Sequence, residues 1–143
     1  MKAALLAALA LAGCVPTLTA QSAAPPSRMA RLDAIDGFWG PKGYRLALSQ
    51  GVAIAVTCNR GGPCEKLRVT SDDPAIAEVR MASLSRLEPA DRSGNQQTAA
   101  ALVVVGKSPG STTVRVRTAR GGQDIRVSIV AQPQSNPQTA VTR

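Results

Sequence analysis

The sequence predicts an all-β protein built as a single sandwich of six to seven short antiparallel strands. Apolar residues recur with a period of two, the spacing that places them on one face of a strand, rather than with the helical period of about 3.6 residues. Gly, Pro and Asp clusters separate these segments, as is typical of strand connections. The 143 residues leave about one domain once the terminal segments are set aside. Two packed sheets are the usual way for so many short strands to bury their apolar faces.

Alternation is clear in three segments of the first half of the domain, which we place at residues 43–131. The positions expected to share one face are Val52, Ile54, Val56 and Cys58 in the first segment, Leu67 and Val69 in the second, and Ala77, Val79 and Met81 in the third. Each segment is therefore predicted to be a strand with one face toward a core.

The second half of the domain contains three further predicted strands. Ala99–Val105 is continuously apolar, which favours a strand buried on both faces. Ser111–Thr118 and Asp124–Val130 alternate again, and the Gly-Gly pair in the connecting segment Ala119–Gln123 predicts a hairpin. In contrast, Leu84–Gln97 is polar and contains Pro and Gly, so we expect a long surface loop there.

The N-terminal residues resemble a bacterial secretory signal. Met1-Lys2 supplies a positive start, residues 3–12 are apolar, and Leu11-Ala12-Gly13-Cys14 resembles the lipobox of bacterial lipoproteins, in which the cysteine is acylated and the chain is cut before it. The resemblance implies a lipid anchor on Cys14. Two alternatives stay open: cleavage after Ala20, and an uncleaved anchor, although a bilayer-spanning helix needs roughly 20 apolar residues.

The expected segment boundaries follow from composition. The lipoprotein signal covers residues 1–13. Residues 14–42 comprise the lipidated cysteine, a flexible tether rich in Pro, Ser and Ala, and an aromatic lead-in. The sandwich follows at 43–131, and residues 132–143, rich in Gln, Pro, Asn and Thr, are expected to form a disordered tail.

Cys58 and Cys64 predict a structural disulfide. In the oxidising compartment that an exported chain enters, a cysteine pair is more often bridged than metal-bound. The sequence has no histidine and three cysteines in all, too few ligands for a zinc site, so we expect no metal and no cofactor. A redox-active role is the alternative, but the spacing is wider than Cys-x-x-Cys.

Two stretches of the domain resemble the bacterial Ig-like domains of group 2. Val69–Val79 contains the Ser-x-Asp-Pro turn followed by Ala-x-Val, and Gly106–Val116 contains the later glycine followed by a strand. The chain departs from the family at Leu67-Arg68-Val69, where an aromatic is often found, and in the insert Leu84–Gln97. The resemblance implies an Ig-like sandwich that serves as a spacer or adhesion module, with no catalytic residues.

The charge balance and the alternation together suggest a binding surface. The chain carries 17 basic and 9 acidic residues, a net charge of +8, which favours anionic partners. If the apolar positions of the last two strands point inward, Arg115, Arg117 and Arg126 point outward, and Arg68 joins them if its strand is adjacent. Arginine forks suit carboxylates and phosphates. The alternative is a solvated face that protects the sheet from aggregation.

The aromatic residues are a second candidate contact. Phe38, Trp39 and Tyr44 are the only aromatics and lie within seven positions of one another. Aromatic side chains are favoured in binding hot spots, so they predict a partner or sugar contact. The alternative is that Phe38 and Trp39 cover one end of a core that is short of large side chains.

These observations predict a non-enzymatic lipoprotein of a bacterial envelope whose domain binds, scaffolds or adheres. The sequence shows no nucleophile elbow, paired-carboxylate motif or phosphate loop. The expected partners are a membrane, through the lipid on Cys14, and an envelope protein or an anionic polymer. Nucleic acid and small-molecule substrates are not expected. The expected location is lipid-anchored, at the outer membrane. The alternatives are a soluble periplasmic accessory factor of an assembly or secretion system, cut after Ala20, and a purely structural spacer.

Overall fold

The structure is a computed structural model, and it describes residues 16–21, 24, 27–37, 41–59, 63–83 and 100–132. Several sequence-predicted features lie outside these residues: Cys14, Phe38, Trp39, the loop Leu84–Gln97 and residues 133–143 of the tail. The described part is all-β. Its strands are β1 (Thr17–Gln21), β2 (Ala30–Ile35), β3 (Gly43–Ser49), β4 (Ala53–Asn59), β5 (Arg68–Ser71), β6 (Ala77–Ser83), β7 (Ala100–Gly106), β8 (Gly110–Thr118) and β9 (Gly121–Val130).

The strands form two sheets, which confirms the prediction of a β-sandwich. One sheet has four strands in the order β1-β4-β7-β6, and the other has five in the order β2-β3-β9-β8-β5. The strand orders match those of Ig domains: β1-β4-β7-β6 corresponds to A-B-E-D, and β9-β8-β5 corresponds to G-F-C. Most pairs are antiparallel as predicted, but β3 pairs with β9 in parallel.

The core lies between the sheets and consists mainly of Val, Leu and Ile. It is filled by the inward positions of both sheets: Leu18, Tyr44, Leu46, Leu48, Ile54, Val56, Leu102, Val104, Val114, Val116, Ile125, Val127 and Ile129. The predicted alternation of β4, β8 and β9 is therefore confirmed. β7 is central in its sheet, but Val103 and Val105 remain half-buried, so only its inward face is fully covered. Burial fades along the edge strand β6, from Ala77 to the 62% exposed Met81.

The disulfide between Cys58 and Cys64 is present, as the sequence predicts. The two Cα atoms are 5.5 Å apart, and the Cys64 amide donates to the Cys58 carbonyl at 3.3 Å. Both cysteines are buried at the end of β4. On the loop-entropy model, a bridge that closes so short a loop contributes about 2 kcal/mol.

The expectation of a flexible tether ahead of the domain is wrong for β1 and β2. β1 pairs with β4 along its whole length, from Thr17 opposite Asn59 to Gln21 opposite Ala55. Pro16 and Leu18 are buried, and β2 pairs with β3. An isolated stretch with one large apolar residue carries little strand signal, but the open edge of β4 offers unpaired backbone groups that β1 satisfies.

The chain enters and leaves the sandwich at opposite ends. The first end, called the N-terminal pole below, contains Pro16 and the β8–β9 turn, because a Cβ on Gly121 would lie 3.9 Å from the Pro16 Cδ. The other end, called the C-terminal pole, contains the β3–β4 turn, where the Gln132 side chain donates to the Gln50 carbonyl at 2.8 Å. The ten residues of β9 connect the poles, so the poles lie about 30 Å apart.

Candidate functional site

The outward face of the five-stranded sheet carries a cluster of arginines. Alternate residues of a strand face opposite sides of the sheet, so the polar positions between the core residues of β3, β8 and β9 face solvent. This surface, called the basic face below, presents Arg31, Arg45, Arg68, Arg115, Arg117 and Arg126, all of them exposed. Asp33 and Asp124 also lie on it and Asp72 borders it. Six arginines against these three acids leave a net charge of +3.

Strand register brings the four arginines predicted from the sequence onto this one face. Arg68 on β5 lies directly opposite Arg117 on β8, and Arg126 on β9 lies opposite Thr113 on β8. Arg115 lies between them, opposite Asp124. Their common orientation follows from the alternation, whereas their adjacency depends on β5 pairing with β8.

Two of the four predicted arginines, Arg115 and Arg117, form ion pairs with carboxylates. Arg115 forms a two-pronged ion pair with Asp72, with Nε–Oδ1 and Nη2–Oδ2 distances of 2.9 Å each. These hydrogen bonds hold the pKa of the Asp72 carboxyl below its usual value. Arg117 donates from Nη1 to Asp124 Oδ1 at 2.8 Å and to two backbone carbonyls. These guanidinium groups are therefore partly neutralised.

The Gly-Gly pair has a role beyond the predicted hairpin connection. It lies at the start of β9, while the turn itself is formed by Ala119-Arg120. A Cβ on Gly122 would approach the Arg117 Cδ and the Val116 carbonyl oxygen to 2.7 Å. Gly122 therefore leaves the space through which the Arg117 side chain crosses to Asp124.

Arg45 and Arg126 form the least neutralised part of the basic face. They are direct neighbours in the parallel pair β3–β9, and neither forms an ion pair or hydrogen bond with any of the described residues. Asp33 lies opposite Arg45, but its carboxylate is paired with Arg31 at 2.8 Å. Like charges directly across neighbouring strands are destabilising, so an anion between the two guanidinium groups would relieve their repulsion.

Hydroxyl groups surround Arg126 on the side away from Arg45. A shallow depression of about 320 Å³ is lined by Arg126 together with Ser111, Thr113 and Ser128. The guanidinium group donates in a planar fork, and each hydroxyl is able to donate or accept one further hydrogen bond. This arrangement suits a carboxylate, phosphate or sulfate group carried on a hydroxylated chain.

The structure corrects the proposed contact role of Tyr44. Its side chain is 2% exposed and lies in the core, and its hydroxyl accepts a hydrogen bond from the Leu18 amide at 2.8 Å. Tyr44 is therefore a packing residue that joins β3 to β1. It offers no surface to a partner, and the contact predicted for Phe38 and Trp39 lies outside the described residues.

Arg31 and Arg45 were not among the predicted site residues because β2 and β3 were not predicted to be strands. The signal was present in β3, since Tyr44, Leu46 and Leu48 alternate with Arg45 and Ala47. β2 carries only a weak alternation around Leu32. The parallel pairing that places Arg45 beside Arg126 connects distant parts of the chain and has no local signature.

The described residues contain no cluster of three or more His, Cys, Asp or Glu side chains arranged to hold a metal ion. Within the same residues, no helix is long and apolar enough to cross a bilayer.

No protein-family model matches this chain, and no curated protein matches it either. Among solved structures, the fold is similar to domains of the S-layer protein SbsC. Domains 4 and 5 superpose with a TM-score of 0.43 at 20% identity, covering 80% of this chain and 54% of that one. Domains 5–6 give a TM-score of 0.42 at 19% identity, covering 80% and 45%. The chain thus spans about half the length of these structures. The likeness concerns the fold alone.

Proposed function

We propose that this chain is a non-enzymatic, lipid-anchored module of a bacterial envelope and that its basic face binds an anionic polymer. The anchor is the lipid on Cys14, and the binding groups are Arg45 and Arg126, with Arg68, Arg115 and Arg117 extending the positive surface. The outer membrane is the location that we propose for the anchor.

The position of β1 supports processing before Cys14 over cleavage after Ala20. A cut before Cys14 keeps Pro16, Leu18 and the whole of β1 in the mature protein. A cut after Ala20 would remove Leu18 from the core and leave the backbone groups of β4 without their β1 partners. It would also leave the buried Tyr44 hydroxyl without the Leu18 amide. The soluble accessory factor is therefore the less favoured reading.

The adjacency of Arg45 and Arg126 is the single observation that carries the binding proposal. Both are exposed, both lack a partner among the described residues, and they lie side by side next to three hydroxyl groups. A polymer with anionic groups at regular intervals could engage this pair and the flanking arginines at once, which strengthens weak individual contacts. The partner expected is therefore a polyanion.

The experiment compares two variants of equal charge. Arg45→Gln/Arg126→Gln removes the unpaired neighbours. The control Arg80→Gln/Lys107→Gln removes two cations that are paired with Glu78 and lie outside the basic face. The probes are polyglutamate and polyphosphate, measured separately by titration over a series of salt concentrations. We expect the first variant to bind about tenfold more weakly with a shallower salt dependence, and the control to change little.

Equal losses in both variants would mean that the polymer responds to net charge alone, which would overturn the assignment to this pair. No binding of either probe by the unmodified protein would favour the second candidate, a structural spacer. That candidate is supported by the positions of the two poles, because the chain enters the sandwich at one end and leaves it at the other.

A further inference from the structure

The N-terminal pole lies very close along the chain to the proposed lipid. Cys14 precedes the buried Pro16 by two residues, and two peptide units reach at most about 8 Å. β1 is fixed at this point by its pairing with β4, by the burial of Leu18 and by the hydrogen bond from its amide to Tyr44. A lipid on Cys14 would therefore hold this end of the sandwich against the membrane surface.

The N-terminal pole is also positively charged. The turn after Cys64 meets the β8–β9 turn there, because the Ala119 amide donates to the Glu65 carbonyl at 3.1 Å. The start of β3 lies at the same end, since the Gln123 side chain near the start of β9 donates to the Pro41 carbonyl at 3.0 Å. The charged residues grouped at this pole are Lys42, Lys66, Arg68, Arg117 and Arg120, against Asp36, Glu65 and Asp124. Counted over the described residues alone, the net charge of this pole is +2.

A depression of about 240 Å³ at this pole provides a place for a lipid phosphate. It is lined by Lys42, Arg117, Gly122, Gln123 and Asp124. Lys42 supplies an ammonium group at this opening, whereas the Arg117 guanidinium is paired there with the Asp124 carboxylate at 2.8 Å. At the opposite pole, the described residues place Arg28 and Lys107 near Asp73 and Glu78, and Glu78 is paired with both Lys107, at 3.6 Å, and Arg80. Anionic headgroups thus have more cations to contact at the end from which the chain reaches the lipid.

We propose that the N-terminal pole rests on the anionic headgroups of the bilayer that holds the Cys14 lipid, so that the sandwich stands upright on the membrane. This inference depends on the proposed lipidation. In this orientation the C-terminal pole lies about 30 Å from the surface, the length of β9. The basic face stands perpendicular to the bilayer and is open to a polymer alongside it.

The test places a fluorophore at each pole of the full, host-processed protein on vesicles with about 30 mol% anionic lipid. Ala119→Cys labels the N-terminal pole and Ser108→Cys labels the C-terminal pole, both at exposed turn positions. The added thiol is the only free one, because Cys58 and Cys64 are bridged and Cys14 is acylated under the proposal. The quencher is a nitroxide on the lipid headgroup, which acts only near contact.

We expect strong quenching at position 119 and little at position 108. A control chain with about ten Gly and Ser residues inserted between Val15 and Pro16 keeps the anchor but frees the domain, so the difference should largely disappear. Lys42→Glu/Lys66→Glu should reduce the difference on anionic vesicles, because it removes the attraction of the pole. Equal quenching at both positions in the vesicle-bound labelled chains, without the insertion or the lysine changes, would overturn the upright orientation.

Failure of the anchor is distinguished by intact mass and retention. A chain without an acyl mass at Cys14 that does not stay on the vesicles would contradict the lipidation itself, and the orientation with it. An acylated, retained chain with equal quenching at both poles would leave the anchor in place and reject only the orientation.

Discussion

Arg115 and Arg117 lie two positions apart on β8, yet they are neutralised in different ways. Arg115 meets Asp72, which follows β5, whereas Arg117 crosses the space above Gly122 to reach Asp124 on β9. Arg126, one strand over, meets no acid among the described residues. The same residue type therefore serves as an ion-pair partner at two positions and as a free cation at a third.

The pair between Asp72 and Arg115 gives a residue-scale prediction of pH dependence. Because two hydrogen bonds from Arg115 keep the pKa of Asp72 below its usual value, the pair stabilises the fold above the unfolded-state pKa of Asp72. That contribution is lost as the pH falls through the lower, folded-state pKa. Asp72→Asn should therefore melt at a lower temperature than the unmodified protein at neutral pH, and the gap should close in acid.

Thermal unfolding of Asp72→Asn, Arg115→Gln and the double variant, measured from neutral pH down to below the folded-state pKa of Asp72, gives the coupling between the two side chains. A melting-temperature gap of the same size at every pH would show that the ionised pair contributes no pH-dependent stability.

At the scale of elements, β1 is held by contacts with other strands, and its own residues do not predict a strand. Its neighbour β4 is a strand with clear alternation, whereas Thr17–Gln21 contains a single large apolar residue. Leu18 fills a place between the sheets, and its amide is bound by a hydroxyl from the opposite sheet. β1 is thus a strand because its partners are already in place.

Tyr44→Phe tests that link between the sheets. The change removes the acceptor of the buried Leu18 amide without removing the ring from the core, and it should lower the free energy of unfolding by about 1 to 2 kcal/mol. Hydrogen exchange should quicken at the Leu18 amide, while the central strand β7 keeps its protection. Unchanged exchange at Leu18 together with unchanged stability would contradict the role of the hydroxyl.

At the scale of the whole molecule, the domain needs far more of the N-terminal part of the chain than its composition suggests. The first three strands complete both sheets: β1 covers β4, and β2 and β3 extend the five-stranded sheet beyond β9. The parallel contact between β3 and β9 connects the beginning of the domain to its end. Stability therefore depends on residues on both sides of the Ala20 boundary.

Two truncations test separately how much β1 and the C-terminal tail contribute to stability. A protein that begins at Gln21 loses the Leu18 side chain and nearly all of β1, so its free energy of unfolding should be lower by at least about 3 kcal/mol than that of a protein beginning at Cys14. A protein that ends at Gln132 keeps every described strand and should unfold at the same urea concentration as the longer chain. Equal midpoints for the chains beginning at Cys14 and Gln21 would contradict the integral role of β1.

The sequence by itself determined the features that depend on neighbouring residues. Period-two alternation identified β4, β8 and β9 with their inward faces, and the cysteine spacing identified the bridge between Cys58 and Cys64. The outward direction of Arg115, Arg117 and Arg126 followed from the same alternation. These features are local, because the side-chain direction of a strand is set by its own pleat.

Only the tertiary structure decided which strands are neighbours. β1 and β2 became strands because sheet edges were available to them, and the buried Tyr44 hydroxyl has a partner because the Leu18 amide of the other sheet lies beside it. Arg45 lies beside Arg126 because β3 and β9, far apart along the chain, pair in parallel. Pairing of this kind depends on how the apolar faces of the two sheets pack together. The residues of one strand therefore do not predict which distant strand it will pair with.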